Sequence, residues 1–352
     1  MTALERFLVA IAPIQSNQNA AQVAAKSKDY FWYSPILTEL LDGKVGDVVV
    51  TPRSQAEVIR VAAACARHRI NITVRGGGTG NYGQCVPMRG GIILDITQLN
   101  GVLSIGPGAV TCEAGILIAE LEQAVRADQV VSGGQEILMY PSTRDIATIG
   151  GFIAGGYAGA GSVRNGILKD TGNVTMIRVV TLEEIPQVIE LHGADIQKVH
   201  HAYGTNGIIT ALTLRLKPAV DWVHHIGLFD SYSAALRFGC EATEAIGGDI
   251  DAFLITAVER RIAPYYTSSF GERFPANKDA VFSMVNPAHL AAWRALLDKH
   301  GGTESMAFNE MQVKAHNLHP AFECAYNHTT LMALKVDKSW TNLQTVAPWV
   351  PG

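Results

Sequence analysis

The residues best suited to chemistry are an arginine followed by a run of glycines. Arg75 precedes Gly76, Gly77 and Gly78, and with Gly80 and Gly83 five glycines fall within eight residues. Successive backbone N–H groups that no Cβ shields form an anion-binding nest, which suits a diphosphate. A tight turn between two strands is the alternative, although one or two glycines would suffice for it.

The segment Gly78–Gly83 also matches the G-x-G-x-x-G motif of Rossmann dinucleotide sites. That motif requires a helix to begin at the turn and an acidic residue about 20 residues further on. Here Pro87 and a glycine pair follow, and Asp95 lies only 12 residues beyond Gly83. We therefore interpret the match as coincidental, and Asp95 as a strand-end residue that hydrogen-bonds a turn.

Glycine is concentrated in one part of the chain. Of the 34 glycines, 24 lie between Gly76 and Gly207, and eight of these lie between Gly150 and Gly172. Each glycine inside regular structure costs about 0.5–1 kcal/mol relative to alanine. Such a cluster therefore predicts either backbone with positive φ or a large ligand that lies directly against the backbone.

The elements that must position the glycines alternate between strand and helix. Val48–Val50 is β-branched, Ser54 and Glu57 form a capping box for a helix through His68, and Ile70–Val74 is the next strand. The apolar residues of this helix recur on one face, which we expect to pack inward; they are Val58, Val61, Ala62 and Cys65. Further strands are expected at 91–96, 103–112, 174–181 and 207–216, and a helix at 116–126.

Glycine becomes sparse and aromatic and charged residues return after Pro218. We divide the chain into a helical N-terminal segment (1–46), a first domain (47–219) and a second, α+β domain (220–352). Short strands such as 251–257 and helices such as 287–300 are expected in the second domain.

The composition indicates which cellular compartment and which classes of binding partner to expect. The chain has 352 residues, 48% hydrophobic and 17% charged, with 28 basic and 32 acidic side chains and a net charge of −4. This balance predicts no nucleic-acid partner. No run approaches the roughly 20 apolar residues of a membrane span, and the N-terminus is unlike a secretory signal. Five widely spaced cysteines without a C-x-x-C motif indicate reduced thiols, so we expect a cytoplasmic protein.

Four segments, in order, resemble FAD-binding flavoenzymes related to vanillyl-alcohol oxidase and p-cresol methylhydroxylase (PCMH). They are T-P-R-S-x-x-E-V at 51–58, V-R-G-G-G-T-G at 74–80, A-T-I-G-G-F-I-A at 147–154 and Y-G-T-N-G-I-I-T at 203–210. The resemblance covers about residues 47–219. It implies an α+β fold, with a two-subdomain PCMH-type FAD-binding domain followed by a smaller α+β cap over the flavin ring.

The resemblance also implies the cofactor contacts. The first loop would hold the diphosphate, the segment after Pro141 would wrap the diphosphate and ribityl chain, and the strand at 207–210 would lie against the isoalloxazine ring. The cofactor-binding residues expected on this basis are Arg75, Gly76, Gly77, Gly78, Thr79, Gly80, Gly83, Gln84, Pro141, Thr148, Gly150, Gly151, Ala154, Gly204, Gly207, Ile208 and Ile209.

Two departures from the family pattern matter. Members that bind flavin covalently from the first loop have a histidine where this chain has Thr79, so we expect non-covalent FAD. The late His-x-Gly-Asp-Gly-Asn-x-His motif of members that resemble D-lactate dehydrogenase is missing, so no metal site is predicted. The chain also stops sooner than these members do, and we therefore expect a shortened cap.

The catalytic residues are sought on the substrate side. Oxidation of a 2-hydroxy acid needs a cation for the carboxylate and a base for the hydroxyl proton. We select Arg164 as the cation and His328, beside Asn327, as the base. Arg260 and Arg261 are the alternatives for the cation, and a structural role is the alternative for His328.

Other histidines are assigned structural roles. The pairs His200-His201 and His224-His225 flank predicted strands, and neighbours in a strand point to opposite faces. His316 and His319 share a helical spacing but have no third ligand nearby.

The leading hypothesis is an FAD-dependent oxidoreductase that transfers a hydride from a small 2-hydroxy acid or alcohol to flavin N5, with an unknown electron acceptor. Asn327–Thr330 and Lys335 are similar to a subgroup of glycolate or D-lactate dehydrogenase subunits. Two alternatives stay open. One is an FAD-binding subunit with an incomplete cap, no independent turnover and a partner oxidoreductase subunit. The other is an NADPH-dependent flavin reductase of the enolpyruvyl-sugar type.

Overall fold

The computed structural model describes residues 1–324 and Leu334. These residues form three lobes, each built on one β-sheet. Asn327, His328 and Lys335, which the sequence places on the substrate side, lie outside the described residues.

The first lobe is a four-stranded sheet in the order β1-β2-β4-β3, in which β2, β4 and β3 are parallel and β1 is antiparallel to β2. The strands β2 and β4 consist of buried aliphatic residues, as expected for a parallel sheet that is covered on both faces. The elements of the lobe are α1 (Ala3–Ile11), β1 (Gln15–Asn17), α2 (Ala20–Lys26), α3 (Pro35–Leu41), β2 (Val48–Thr51), α4 (Gln55–His68), β3 (Ile72–Arg75) and β4 (Ile92–Asp95).

The second lobe is an antiparallel sheet in the order β5-β6-β10-β8-β9, with β7 paired to the far end of β10. Its long central strand β10 begins immediately after Gly207. The elements are β5 (Val102–Gly106), β6 (Ala109–Glu113), α5 (Ile118–Ala127), β7 (Gln135–Ile137), α6 (Ile149–Gly155), α7 (Ser162–Asn165), β8 (Val174–Val180), β9 (Val188–His192) and β10 (Ile208–Pro218).

The third lobe is an antiparallel sheet in the order β12-β13-β11-β14. Phe238 and Trp293 cover one face from two helices, and Tyr266 and Phe270 cover the other face from a third helix. The elements are β11 (Val223–Phe229), α8 (Tyr232–Glu244), β12 (Ala252–Val258), α9 (Ala263–Phe270), β13 (Asp279–Val285), α10 (Leu290–Lys299), β14 (Thr303–Phe308) and α11 (Glu310–Ala315).

One hydrophobic cluster runs continuously through the first and second lobes. It joins the inner face of α4 to the strands of both sheets and also takes in Trp222, Phe253 and Phe322 at the border of the third lobe. The mixed helix and sheet content and this two-part arrangement confirm the predicted α+β fold class.

Local structure agrees with the predicted elements in most places. Ser54 caps α4, with its hydroxyl accepting from the Glu57 amide at 3.3 Å, and the helix ends at His68. The capping box is incomplete, because the Glu57 carboxylate accepts from the Arg53 amide instead. The range 103–112 contains a hairpin rather than one strand, since Gly108 turns the chain with a φ of +77°.

The glycine-rich range 142–172, which has little periodicity, contains two helices, α6 and α7. Thr148 caps α6, and the amides of Ile149 and Gly150 bond to the carbonyls of Ile116 and Ala114. Tertiary hydrogen bonds therefore stabilise a helix that its glycine content disfavours.

In the part of the chain that the structure describes, no helix combines the length and the apolarity needed to cross a membrane.

The adjacent histidines of β11 point to opposite faces, as the alternation of a strand requires. Nδ1 of His224 accepts a hydrogen bond from the amide of Ala321, and Nδ1 of His225 accepts one from Nε1 of Trp293. Burial lowers the pKa of His224 to about 4, while Glu310 opposes this shift and Arg144 adds to it. Burial likewise lowers the pKa of His225 to about 4.

We expect acid to destabilise the third lobe through these histidines. An unfolded histidine, with a pKa of 6.5, gains a proton between about pH 6.5 and 4 that the folded group does not bind. Each histidine therefore contributes stability above pH 6.5 that is lost, at about 1.4 kcal/mol per pH unit, as the pH falls toward 4. His224→Asn keeps an acceptor for Ala321 without titrating, so it should flatten the fall. Urea unfolding at several pH values measures this, and an unchanged slope would contradict it.

Candidate functional site

The first two glycine segments lie directly against each other. A Cβ at Gly76 would collide with the hydroxyl of Thr148, and a Cβ at Gly77 would collide with the carbonyl oxygen of Ile146. The loop after β3 and the segment before α6 can approach this closely only because both positions are glycine. This contact joins the first lobe to the second and is called the glycine seam below.

The third glycine segment joins the same region. The amide of Tyr203 donates to the carbonyl of Ala154 at 3.0 Å, and a Cβ at Gly204 would lie 3.6 Å from Cβ of Val74. Gly207 has a φ of +136°, which an L side chain rarely adopts. The three segments that the sequence selects thus meet at one place between the first two lobes.

The segment continues into β10, where Ile208 and Ile209 are buried and pair with Val180 and Val179 of β8. Among the other predicted residues, Pro141 is half-buried and begins a turn closed by the amide of Arg144, and Gly159 packs against its backbone.

The loop after β3 presents backbone amides without partners. Within residues 1–324, the amides of Gly77, Gly78, Thr79, Gly80 and Asn81 donate no hydrogen bond to the protein. Buried or half-buried amides are almost always paired, so a run of five unpaired N–H groups indicates a missing acceptor. An anionic group of several oxygens, such as a diphosphate, provides such acceptors.

The N-terminus of α6 differs, because its amides are already occupied. The amides of Ile149 and Gly150 bond to backbone carbonyls, and the amide of Gly151 donates to the hydroxyl of Thr148 at 3.3 Å. Thr148, Gly150 and Gly151 therefore act in the structure as packing and capping residues behind the loop. Any contact that they make with a cofactor stays a prediction.

Arg75 turns its guanidinium inward, beneath the loop. Its Nη1 donates to the carbonyl of Lys28 at 2.6 Å and to Sγ of Cys85 at 3.3 Å, and the side chain lies against the backbone of Gly78. The sequence predicts that Arg75 flanks the bound anion directly. The structure instead places its charge behind the unpaired amides, where it makes their surroundings electropositive.

Gln84, a predicted cofactor-binding residue, begins a series of hydrogen-bonded side chains beside the loop. The sequence does not predict these hydrogen bonds. Oε1 of Gln84 accepts from the Tyr82 amide at 2.9 Å, and its Nε2 donates to the hydroxyl of Tyr157 at 2.6 Å. Burial raises the pKa of Tyr157, and a hydrogen bond with the hydroxyl of Tyr203 adds to that rise. The Tyr203 hydroxyl in turn lies 2.8 Å from Nε2 of His201.

Two residues of this hydrogen-bonded series adopt a strained backbone conformation. His201 and Tyr203 have φ values of +55° and +51°, which non-glycine residues rarely adopt and which cluster at functional sites. Neither histidine nor tyrosine predicts a turn as glycine would, so the sequence offers no signal for this conformation.

Arg164 is not the free cation that the sequence interpretation made it. Its guanidinium forms a bidentate ion pair with Asp251, at 2.5 and 3.2 Å, and lies over the ring of Trp222. The next residue, Asn165, contacts Lys217 at the far end of β10. Because β10 rises about 3.3 Å per residue, this end is roughly 25 Å from Ile209 along the strand. Arg164 therefore joins the second lobe to the third instead of facing the glycine segments.

The remaining predicted residues are distributed as follows. Arg260 bonds to Asp279, and Arg261 pairs with Glu259. His316 stacks on Phe308, while His319 pairs with Glu323 at 2.6 Å. Asp95 accepts from the amide and hydroxyl of Thr97, which confirms it as a strand-end residue. Asn327 and His328 lie outside the described residues, so their catalytic role stays a prediction.

The unpaired amides lie within a part of the chain that matches a known protein family. Residues 46–184 match the family model of the FAD binding domain. This stretch is therefore similar to an FAD-binding domain. It contains the arginine, the amide run and the glycine seam, and the match confirms the resemblance over the first three of the four sequence segments.

Two curated relatives and one solved structure are similar to the chain. D-lactate dehydrogenase from Anaerostipes hadrus is 29% identical over 187 residues, 49% of this chain and 37% of the relative. Glycolate oxidase subunit GlcD from Bacillus subtilis is 28% identical over 183 residues, again 49% and 37%. The chain thus spans less than half the length of these relatives. A solved structure of alkyldihydroxyacetonephosphate synthase covers 95% of this chain and 69% of its own, with 16% identity and a TM-score of 0.71, and so shares the fold.

FAD fits the residues of the domain. Its diphosphate would supply the oxygens that the five amides lack, and the positive charge of Arg75, buried against Gly78, favours an anion nearby. The loop carries Thr79, which has no imidazole nitrogen for a covalent flavin bond, so non-covalent binding stays the expectation.

Gly77→Ala should disrupt the glycine seam. The new methyl group would meet the carbonyl oxygen of Ile146, and overpacking of this kind costs about 1–3 kcal/mol or more. We expect a lower melting temperature and weaker FAD binding. The control is Gly106→Ala, because a Cβ at Gly106 has nothing within 4 Å. Equal behaviour of the two variants in thermal melts and FAD titrations would contradict a seam.

Arg164→Met should lower stability without changing the affinity for FAD. It leaves Asp251 with Asn286 as its remaining side-chain partner, and breaking a largely buried ion pair costs about 3–5 kcal/mol, less here because the site is partly exposed. Denaturant unfolding and FAD titration measure the two effects. A variant of unchanged stability with a raised KM for a hydroxy acid would contradict this structural role and would indicate that Arg164 binds the substrate.

Proposed function

We propose that the chain is an FAD-dependent oxidoreductase that oxidises a small 2-hydroxy acid or alcohol. The observation that carries this proposal is the run of five unpaired amides, Gly77–Asn81, within a domain whose family binds FAD. The names of the relatives, D-lactate dehydrogenase and glycolate oxidase subunit, support a 2-hydroxy acid as the substrate class.

Bound FAD supplies the hydride acceptor, flavin N5, whereas the protein supplies binding and orientation. The amides of the loop would hold the diphosphate, with the charge of Arg75 behind them. Gly204, Gly207, Ile208 and Ile209 would line the rest of the cofactor with backbone, as the resemblance implies. The hydrogen-bonded side chains of Gln84 and Tyr157 border the same loop.

On the substrate side, we retain His328 as the base for the hydroxyl proton, with Asn327 beside it. Arg164 is engaged by Asp251, so a carboxylate-binding cation must come from another residue. The third lobe, residues 220–324 with the rest of the chain, would form the cap.

The second candidate is an FAD-binding subunit without independent turnover. The observation that favours it is the similarity to a protein named as a subunit, glycolate oxidase subunit GlcD. In this case the chain would bind FAD, and a partner subunit would complete the substrate site or accept the electrons.

The absorption spectrum of the purified protein, before and after anaerobic addition of D- and L-2-hydroxy acids, tests both candidates. We expect a yellow protein whose flavin absorption bleaches with one stereochemical series, because hydride transfer removes the oxidised flavin chromophore.

Each other outcome has a meaning. Bound flavin that no hydroxy acid bleaches would indicate the subunit, and rapid bleaching by NADPH would indicate a reductase of the enolpyruvyl-sugar type. A colourless protein that does not take up added FAD would contradict the proposed function as a whole.

A further inference from the structure

Residues 28–31, which precede the matched domain, lie beneath the amide run and are called the N-terminal strap here. The carbonyl of Lys28 accepts from Nη1 of Arg75 at 2.6 Å, and the amide of Tyr30 donates to the carbonyl of Gly80 at 2.7 Å. The strap is thus hydrogen-bonded to both ends of the glycine loop. The FAD-binding match begins only at residue 46.

Asp29 of the strap is a buried carboxylate beside the same loop. It is 4% exposed, its Oδ1 accepts from the Phe31 amide at 2.9 Å, and its Oδ2 makes no hydrogen bond of good geometry. Burial raises the pKa of this carboxyl, while the nearby amides of Phe31, Gly83 and Gln84 and the charge of Arg75 oppose the rise. A buried carboxylate whose hydrogen bonds are incomplete is costly, so its presence calls for a compensating role.

Arg75 and Asp29 press on two residues of the amide run. A Cβ at Gly78 would collide with the Arg75 guanidinium, whereas a Cβ at Gly80 would collide with Oε1 of Gln84 and would also lie 3.3 Å from Oδ2 of Asp29. Arg75 is 9% exposed and its Nε is unpaired. Two groups of opposite charge, both buried, therefore lie against the backbone of the loop.

We propose that Asp29 and Arg75 are positioning residues, which hold the amides of Gly77–Asn81 in the arrangement that binds the diphosphate of FAD. The N-terminal strap is accordingly part of the cofactor site. This inference rests on the proposed binding of FAD.

The physical basis is preorganisation. Five glycine-rich amides have many conformations, and fixing them on binding would reduce affinity, whereas a loop that is already held in place loses less entropy. The guanidinium suits this task because its Nη1 donates to the Lys28 carbonyl and to Cys85 while the rest of the planar group lies against the backbone of Gly78, a shape that the ammonium of lysine does not reproduce.

The test compares Asp29→Asn and Arg75→Lys with the wild-type full chain. Apparent dissociation constants for FAD, ADP and riboflavin are measured by fluorescence or calorimetry at a temperature where every variant is folded, and melting temperatures are measured without ligand. The matched controls are Asp195→Asn and Arg294→Lys, which alter exposed ion pairs of the second and third lobes.

We expect both variants to raise the dissociation constants for FAD and ADP at least tenfold, which corresponds to about 1.4 kcal/mol. Riboflavin, which has no phosphate, should bind each variant as it binds wild type, and the controls should leave all three affinities unchanged. If Arg75→Lys does not fold, the isosteric Asp29→Asn carries the test.

Unchanged FAD and ADP affinities in variants that merely melt at lower temperature would overturn the inference, since that is the result of a purely structural role. An equal loss of riboflavin affinity would overturn it as well. Failure of the wild-type protein to bind FAD is a separate outcome, which contradicts the proposed function itself.

Discussion

The close contact of Gly77 with the carbonyl of Ile146 is the constraint on which the site depends. No side chain fits between these two backbones, so the loop after β3 and the segment before α6 meet without an intervening layer. The contact joins two sheets of different kinds, one mostly parallel and one antiparallel, through a single shared core. The loop amides stay unpaired beside it, whereas the first amides of α6 are already paired.

The buried charges follow from the same arrangement. A loop of glycines has no side chains with which to hold its shape, so support must come from residues beneath it. Arg75 and Asp29 provide groups that can reach the backbone where Cβ atoms are missing. The cost of burying them is offset in part by hydrogen bonds to Lys28 and Phe31.

The sequence predicts the parts that depend on local pattern. The periodicity of Val58, Val61, Ala62 and Cys65 identifies the buried face of α4, and the order of the glycine segments identifies where a cofactor would lie. Side-chain orientation is different, because it depends on partners far away in the chain. Arg75 turns toward Lys28, 47 residues earlier, and Arg164 toward Asp251, 87 residues later. No local spacing encodes either pairing. The helix α6 is missed for a related reason, since its stability comes from Ile116 and Ala114 rather than from its own residues.

The junction between the second and third lobes is built on the opposite principle from the glycine seam. It buries charged and aromatic side chains, with Arg126 and Nε1 of Trp222 bonded to Glu136 at 2.8 and 2.9 Å. Burial raises the pKa of Glu136 to about 7, so the folded state retains a proton that the unfolded chain releases above its pKa of 4.5. Between these values the stability contributed by Glu136 falls as the pH rises, whereas that of His224 falls as the pH drops. The two groups therefore offset each other across this junction. The glycine seam is made instead of glycine, backbone and the hydroxyl of Thr148, so its close contacts contain no titratable side chain.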